Sequence, residues 1–434
     1  MSLSDIHSPA PKETLRIQNF GGITDATIEL SRMNVFIGPQ ASGKSVCAKL
    51  IYYFREIVRG LPNRILKNMS DQEIREQHIG DFHSFFPHEN WMPEGFKLEY
   101  ENDYIKLEIM WNGGNPLSSI WEFNPGWNEL KQNLRKEREN TSNADLLGRF
   151  ATAGLNSIPF NFAQKGGLPK ESTLQNNDGF INAGRSFFVQ LKNITFMLQA
   201  NQVKIDPFML VTGKDYESAK SYYFEPLLVV RKQYPQIEAL IKNILKGDYR
   251  IRGNREHIFS EDGRSVLIEN SSSGQQEALP LVLILSVTGR DRRRSRSTTL
   301  FVEEPEAHLY PDAQREMVHL LCTALDLTSP ESSSQCVITT HSPYLLSALN
   351  NLIYGAKLIE EEASRKDAVH EILGETDLVS PKDVRAYHFE NGSATRIQDE
   401  ETGLITADAI DEVSQRLGVE FERLLSVEFA EKAA

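Results

Sequence analysis

Apolar and polar residues alternate along the first part of the chain, which is the period of a half-buried β-strand. Leu15 and Ile17 precede a Gly-Gly pair, and Ile28 and Leu30 follow it, so two strands around a tight turn are predicted. A short apolar run at residues 33–37 predicts a third strand, which ends at a glycine-containing loop. Beyond this loop the apolar residues take helical spacing, so a helix is predicted from Lys44.

The pattern becomes irregular in the middle of the chain. Two alternating segments, FKLEYEN and YIKLEIMWN, predict a β-hairpin, and residues 187–198 and 226–245 predict helices. The polar stretch NPGWNELKQNLRKERENTSN is interpreted as mobile. No apolar heptad is sustained over four repeats, which argues against a long coiled coil.

The C-terminal part again mixes strands and helices. Residues 249–270 predict an antiparallel hairpin that turns at Glu-Asp-Gly, and an apolar helix follows a serine cluster. Apolar runs at residues 300–302 and 336–339 predict buried strands. A shorter strand is predicted at residues 385–389, and a final helix at residues 407–425.

This order of elements predicts an α/β protein with a mixed sheet flanked by helices and an antiparallel N-terminal β-subdomain. The length of 434 residues fits one large domain that carries an insertion. We expect residues 1–61 to form an N-terminal lobe and residues 248–434 a C-terminal lobe. Residues 62–247 are expected to form a largely helical insertion between the two lobes.

Composition narrows the classes of protein that the chain can represent. Hydrophobic residues make up 40% and charged residues 25%, as in ordinary globular proteins. No run of about 18 apolar residues predicts a transmembrane helix, and the N-terminal residues lack the apolar core of a secretory signal. The three cysteines, Cys47, Cys322 and Cys336, are far apart and show no metal-binding spacing. We therefore expect a cytoplasmic protein without a membrane partner.

The net charge of −13 disfavours nucleic acid, but a local basic patch can still bind it. One basic run exists within GRDRRRSRS, and it contains Arg290, Arg292, Arg293, Arg294 and Arg296. A solvated loop is the simpler interpretation of this run, and contact with nucleic acid is the alternative.

The strongest motif lies between the third strand and the helix, and it matches G-x-x-x-x-G-K-[ST]. Backbone N–H groups of such a loop point at phosphate oxygens, and the helix N-terminus adds the positive end of its dipole. The lysine is expected to reach the β- and γ-phosphates of ATP, and the serine to bind Mg²⁺. The loop consists of Gly38, Pro39, Gln40, Ala41, Ser42, Gly43, Lys44 and Ser45.

The second motif is the apolar strand at residues 300–302, which ends in Glu303 and Glu304 and so has the form of a Walker B segment. Glu303 is expected in the Mg²⁺ shell, and Glu304 is expected to act as the general base toward the attacking water. A glutamate reaches further than the aspartate common at the first position, which would allow contact with the metal through water.

The third motif is the serine cluster before the apolar helix, in the sequence SSSGQQE. Its order in the chain resembles the L-S-G-G-Q signature of ABC-type ATPases, with Ser272 at the serine, Gly274 at the second glycine and Gln275 at the glutamine. In such folds these groups face the γ-phosphate of the nucleotide held by the opposite subunit. The resemblance therefore implies a dimer that sandwiches two nucleotides.

The fourth motif is Thr-Thr-His-Ser-Pro after the strand at residues 336–339. His341 resembles the switch histidine of the same ATPases, which contacts the γ-phosphate. Between the second and fourth motifs, His308 and Tyr310 take the place of a D-loop at the subunit interface.

Together these marks resemble the ABC-like ATPases related to the OLD (overcoming lysogenisation defect) proteins and the chromosome-maintenance ATPases. The turn Asn182-Ala183-Gly184-Arg185-Ser186 is similar to the P-A-G-R-S turn of these proteins. The resemblance implies an ABC-type ATPase head. Gln72 and Gln77 remain alternatives for the Q-loop, and Phe20 is a candidate for adenine stacking.

Relatives of this layout include PtuA-like (Septu) and AriA-like (PARIS) antiphage ATPases, in which a separate chain supplies the nuclease. No D-x-D follows His341, since Asp408 and Asp411 are spaced D-x-x-D, so no nuclease is expected in this chain. The first hypothesis is thus a sensor ATPase that acts as a homodimer or larger homo-oligomer on a separate effector. The alternatives are a DNA repair or chromosome-associated ATPase that binds duplex DNA, and, last, a transporter ATPase.

Overall fold

The computed structural model describes residues 13–91, 94–103, 105–114, 117–123, 125–140, 177–190, 205–223, 235–253, 255–290, 298–327, 332–406 and 419. The strands are β1 (Glu13–Phe20), β2 (Ile23–Glu29), β3 (Met33–Ile37), β4 (Phe96–Asn102), β5 (Ile105–Trp111), β6 (Ser118–Phe123), β7 (Asn177–Ile181), β8 (Asp248–Arg252), β9 (Arg255–Phe259), β10 (Ser265–Leu267), β11 (Thr298–Glu303), β12 (Gln335–Thr340), β13 (Val384–Glu390) and β14 (Ser393–Arg396). The helices are α1 (Lys44–Leu66), α2 (Asp71–Phe85), α3 (Pro125–Asn140), α4 (Ser186–Gln190), α5 (Pro207–Tyr223), α6 (Pro235–Leu245), α7 (Ser273–Arg290), α8 (Pro311–Leu325), α9 (Pro343–Glu361) and α10 (Lys366–Leu373).

Eleven of the strands form one mixed sheet in the order β6-β5-β4-β1-β2-β14-β13-β3-β12-β11-β7. The strands from β13 to β7 in this order all pair in parallel, and their carboxyl ends therefore meet at one edge. The strands β1, β2, β4, β5 and β6 form an antiparallel extension. The fold class predicted from the sequence is confirmed: the protein is α/β, with a large mixed sheet flanked by helices.

The parallel strands separate two hydrophobic cores because successive side chains point to opposite faces. Val302 and Ile338 lie in the core that includes residues of α7, α8 and α9. Phe301 and Val337 lie in the core that includes residues of α1 and α2. These strands are therefore apolar on both faces, as is usual for parallel sheets.

The middle of the chain takes part in the main sheet rather than standing apart from it. The segment expected as an insertion, residues 62–247, supplies β4, β5 and β6 at one end of the sheet and β7 at the other. The boundary expected at residue 61 falls inside α1. The sequence did not reveal these pairings because β-strand partners are chosen by tertiary contacts.

The described part of residues 124–143, the stretch interpreted as mobile, forms α3. Leu134 of this helix is buried, and Lys131 reaches Asp71 of α2 at 2.6 Å. Buried Leu134 and the ion pairs of Lys131 and Arg135 with Asp71 thus anchor this polar helix against its neighbours.

Most other predicted elements are confirmed, namely the N-terminal hairpin, β3, α1, the β4–β5 hairpin, the β9–β10 hairpin, β11, β12 and β13. The hairpin of β9 and β10 gains β8 as a third strand in a small separate sheet. Only parts of the helices predicted at residues 187–198 and 226–245 lie within the described residues, as α4 and α6. The helix predicted at residues 407–425 lies outside them, apart from one residue. No helix in the described part of the chain is both long and apolar enough to cross a membrane.

Candidate nucleotide-binding site

The glycine-rich loop lies at the carboxyl edge of the parallel strands, between β3 and α1. Gly43 caps the N-terminus of α1 with φ of 100°, a left-handed conformation that favours glycine. A Cβ on Gly43 would lie 2.5 Å from Cγ1 of Ile23, and a Cβ on Gly38 would lie 2.1 Å from the carbonyl oxygen of Phe389. Both glycines of the motif are therefore required by close packing against neighbouring strands.

The lysine of the motif folds back over the loop. Lys44 Nζ donates hydrogen bonds to the carbonyl oxygens of Gly38 at 2.9 Å and Pro39 at 2.7 Å. Burial lowers the pKa of Lys44, and the carboxylates of Glu304 and Glu306 oppose this shift. The ammonium group is thus held near the loop and within electrostatic reach of the Walker B carboxylates, where a phosphate could replace its carbonyl partners.

Three buried oxygens lie side by side where the parallel strands end. Asn182, Glu303 and Thr339 follow Phe180, Phe301 and Val337 by two residues on three paired strands, so they face the α1 side of the sheet. The atoms Asn182 Oδ1, Glu303 Oε1 and Thr339 Oγ1 have no hydrogen-bond partner among the described residues. Buried polar oxygens of this kind normally require a partner such as water or an ion.

This donor set fits Mg²⁺. No three His, Cys, Asp or Glu side chains cluster as a metal site in the described part of the chain. Mg²⁺ does not need such a cluster, because it is usually held by one or two carboxylates together with phosphate oxygens and water. Glu303, with the hydroxyl of Ser45 at the start of α1, would supply the protein's share of such a shell.

The second glutamate and the predicted switch histidine are neighbours. His341 Nε2 lies 3.3 Å from Glu304 Oε1, and the Glu304 side chain is 38% exposed. Glu304 has φ of 44°, an uncommon left-handed conformation for a residue with a side chain. The sequence placed these two residues 37 positions apart, and the pairing of β11 with β12 brings them together.

A third carboxylate in this loop holds the histidine segment. Glu306 Oε1 accepts hydrogen bonds from Thr340 Oγ1 at 2.6 Å and from the backbone N–H of His341 at 2.7 Å. Ser342 then caps α9 by accepting from the backbone N–H of Leu345. The sequence motif Glu-Glu-Pro-Glu includes Glu306. The contact of Glu306 with the histidine segment arises only because β11 pairs with β12.

The serine-rich segment forms a capping box at the start of α7. Ser272 Oγ accepts from the backbone N–H of Gln275 at 3.3 Å, and the Gln275 side chain accepts from the backbone N–H of Ser272 at 3.1 Å. A Cβ on Gly274 would lie 2.7 Å from the carbonyl oxygen of His308, so this glycine permits contact between α7 and the expected D-loop. Ser272 and Tyr310 are exposed, and both are available to a second molecule.

The turn after β7 places an arginine that the sequence did not single out for a role. Arg185 is 0% exposed. Its guanidinium donates to the carbonyl oxygens of Glu303 at 2.7 Å, Glu304 at 3.0 Å and Glu277 at 3.1 Å. The N-A-G-R-S turn was the only sequence signal for this residue, and no pattern connected it with Glu277.

Several weaker predictions meet different outcomes. Phe20 is buried and packs against Phe82, Phe86 and Phe96, so it is a core residue and is not free to stack on adenine. Gln72 and Gln77 are exposed on α2. The basic run lies outside the described residues except for the backbone of Arg290, and Asp408 and Asp411 also lie outside them.

The fold and the glycine-rich loop between β3 and α1 define a P-loop ATPase domain. A family model described as "AAA domain, putative AbiEii toxin, Type IV TA system" matches residues 33–347, and the chain belongs to this family. No curated protein matches the chain.

Solved structures with partial similarity include two SMC head domains and a recombination mediator protein. The SMC head domain from Thermotoga maritima is 13% identical with a TM-score of 0.37, and the alignment covers 90% of this chain and 99% of that one. An SMC head bound to the C-terminal winged-helix domain of ScpA is 11% identical with a TM-score of 0.41, at 89% and 96% coverage. The recombination mediator RecF is 10% identical with a TM-score of 0.29, at 90% and 100% coverage.

Proposed function

We propose that the chain binds and hydrolyses ATP with Mg²⁺, and that two copies sandwich two nucleotides. The observation that carries this proposal is the convergence of Lys44, Glu303, Glu304 and His341 at one edge of the sheet. Glu304 lies 3.3 Å from His341 and acts electrostatically on Lys44, so base, histidine and phosphate-binding cation share one site.

Each residue has a role that follows from its position. Lys44 exchanges its carbonyl partners for the β- and γ-phosphate oxygens, because a charged oxygen makes the stronger hydrogen bond. Glu304 accepts a proton from the attacking water while the water oxygen bonds to the γ-phosphorus and the bridging oxygen leaves with the β-phosphate. His341 holds the Glu304 carboxylate and the γ-phosphate in line. Mg²⁺, held through Ser45 and Glu303, would neutralise charge that develops on the phosphates.

The second half of each site is supplied by the other copy. Ser272 Oγ and the N–H groups of Gly274 and Gln275 lie at the exposed start of an 18-residue helix. A helix N-terminus attracts anions, and this one is exposed to a second molecule. Pairing two protomers face to face would place each helix start on the γ-phosphate held by the mate.

Two substitutions test this proposal. Glu304→Gln keeps the size of the side chain but cannot accept the proton, so ATP should remain bound and the dimer should accumulate. Lys44→Ala removes the phosphate contact and should prevent both binding and dimerisation. The measurement is the mass of each protein with and without ATP, by light scattering, alongside phosphate release. Normal turnover by Glu304→Gln would contradict the assignment of the base.

A sensor role toward a separate effector is the more specific part of the proposal. The family description, which names a putative AbiEii toxin of a type IV TA system, is consistent with a role in such a system. The effector would be a nuclease or toxin encoded beside this chain, in an antiphage defence complex. Co-purification of the neighbouring gene product with the Glu304→Gln protein is the test. Lack of an effector-like neighbour would count against it.

Direct action on DNA is the second candidate function, and it rests on the five arginines between residues 290 and 296. Arg290 is the last residue of α7, the helix whose start is expected at the dimer interface, and the other four arginines come after it in the sequence. Binding of duplex DNA that weakens steeply with salt, and that disappears when the arginines are replaced by glutamine, would favour it.

A further inference from the structure

We propose that Arg185 and Glu277 form a positioning pair that couples the two nucleotides of the sandwich. The pair connects the loop that carries Glu304, which acts on a protomer's own nucleotide, with the start of α7, which faces the nucleotide of the mate. This inference rests on the proposed function, because it requires the dimer described above.

One side of the pair holds the Glu304 loop. The Nη1 and Nη2 atoms of Arg185 donate to the carbonyl oxygens of Glu303 and Glu304 at 2.7 and 3.0 Å. These two carbonyls belong to the peptide groups on either side of Glu304, whose left-handed conformation persists only where its surroundings impose it. The direction of the Glu304 side chain toward His341 is therefore set in part by the guanidinium group.

The other side of the pair holds α7. Glu277 is the fifth residue of this helix, and its carboxylate accepts from the backbone N–H groups of Arg185 at 2.7 Å and Ser186 at 2.9 Å. The Nε atom of Arg185 returns a hydrogen bond to the carbonyl oxygen of Glu277 at 3.1 Å. The two residues thus exchange contacts in both directions, and both are buried.

Electrostatic attraction opposes the separation of Arg185 from Glu277. Burial opposes the charge on both groups and lowers the pKa of Arg185, while Glu277 offsets part of that effect. Burial also opposes ionisation of Glu277, but the charge of Arg185 and the two N–H donors outweigh it and lower the pKa of Glu277. Separating the pair would leave two uncompensated buried charges, so α7 and the Glu304 loop are expected to move together.

The predicted consequence is cooperativity between the two sites. When Ser272 at the start of α7 meets the mate's γ-phosphate, the same displacement would bring Glu304 into line over the protomer's own nucleotide. Hydrolysis by the wild-type protein should therefore depend on ATP with a Hill coefficient near 2, the number of sites.

Arg185→Lys is the main test, because lysine keeps the charge but lacks the planar fork that binds several carbonyls at once. We expect kcat to fall by about tenfold or more and the Hill coefficient to fall to about 1. The affinity of the monomer for a fluorescent ATP analogue should change by less than about twofold, because Arg185 does not belong to the Lys44 loop. Glu277→Gln, which keeps the shape of the side chain, should likewise lower kcat and the Hill coefficient and leave the affinity for the analogue nearly unchanged.

Arg55→Lys is the matched control. Arg55 is also buried and also paired with a carboxylate, that of Glu13, but it lies where β1 and β12 begin, at the opposite edge of the sheet. This variant should lose thermal stability and keep its Hill coefficient. The proposal is overturned if Arg185→Lys and Glu277→Gln change only stability, as the control does, or if the wild type hydrolyses ATP without cooperativity. Absence of an ATP-dependent dimer of Glu304→Gln would instead overturn the proposed function itself.

Discussion

Gly38 shows how one residue controls the shape of the nucleotide loop. Its φ of 149° and the carbonyl oxygen of Phe389, 2.1 Å from where a Cβ would lie, leave no room for a side chain. The same strand, β13, pairs with every residue of β3, and Phe389 directly follows the last of these pairs, so it cannot shift freely. The sequence identified this glycine by its motif, whereas the reason for it lies some 350 residues further along the chain.

Gly38→Ala is therefore expected to destabilise the protein by about 3 kcal/mol or more, from overpacking and backbone strain together. ATP binding should be lost as well. Gly80→Ala is the control, since Gly80 lies in α2 and no atom would lie within 4 Å of its Cβ. The free energy of unfolding of that variant should rise by up to about 1 kcal/mol, because alanine has a higher helix propensity than glycine. Thermal unfolding and titration with an ATP analogue measure both effects.

The buried side chain of His78 makes the stability of the folded protein depend on pH. Its ring accepts or donates a hydrogen bond at 2.8 Å to the Tyr53 hydroxyl, and burial lowers its pKa to about 3. The unfolded chain takes up this proton near pH 6.5, but the folded protein does not until about pH 3. Stability due to His78 is therefore present above pH 6.5 and is lost as the pH falls toward 3.

At pH 5 this loss should amount to about 2 kcal/mol relative to pH 7.5. His78→Gln should be less stable at pH 7.5 but should lose less stability between the two pH values. His83→Gln, on the exposed side of the same helix, is expected to keep the wild-type pH dependence. The free energy of unfolding is measured by urea titration at both pH values. If it changes equally with pH in His78→Gln and in the wild type, another group is responsible for the pH dependence.

At the scale of elements, the start of α7 combines a structural and a proposed functional role. Its capping box stabilises the helix in the same way as the box formed by Ser70 and Glu73 at the start of α2. The two helix ends differ in their surroundings, because only α7 contacts the Glu304 loop through Arg185.

Ser272→Ala and Ser70→Ala should each destabilise the protein by about 1 kcal/mol through loss of the cap. Only Ser272→Ala should also weaken ATP-dependent dimerisation, measured by light scattering in the Glu304→Gln background. If both variants dimerise equally well, the role of Ser272 at the γ-phosphate of the mate is wrong.

At the scale of the whole molecule, the proposed sandwich predicts complementation between inactive proteins. Lys44→Ala lacks the phosphate loop but has an intact α7, and Ser272→Arg has the loop but presents a bulky side chain to its mate. In a mixed dimer one of the two sites would combine the intact halves. An equal mixture with ATP, both proteins also carrying Glu304→Gln, should therefore form mixed dimers that hold one nucleotide each, measured by light scattering.

Neither protein alone should dimerise with ATP. Mixing Lys44→Ala with Lys44→Ala,Ser272→Arg is the control, because no combination of these chains completes a site. A mixture of the two variants that stays as monomeric as this control would mean that the sites do not form between copies.

The sequence alone determined the parts of this protein that depend on neighbouring residues. The phosphate loop at Gly38 to Ser45, the capping box at Ser272 and the apolar strands before Glu303 and His341 follow from spacing, turn chemistry and hydrophobic period. These features fix which residues are exposed at the ends of elements, and so they identify candidate chemistry without knowledge of the fold.

Tertiary structure decided everything that depends on which strands become neighbours. It placed β4, β5, β6 and β7 in the main sheet, buried Phe20 among aromatic rings, and brought Glu306 to the histidine segment. It also joined Arg185 to Glu277, which lie 92 residues apart and share no periodic pattern. The physical reason is that strand pairing and buried ion pairs gain their free energy from contacts between distant segments, and no local pattern records those contacts.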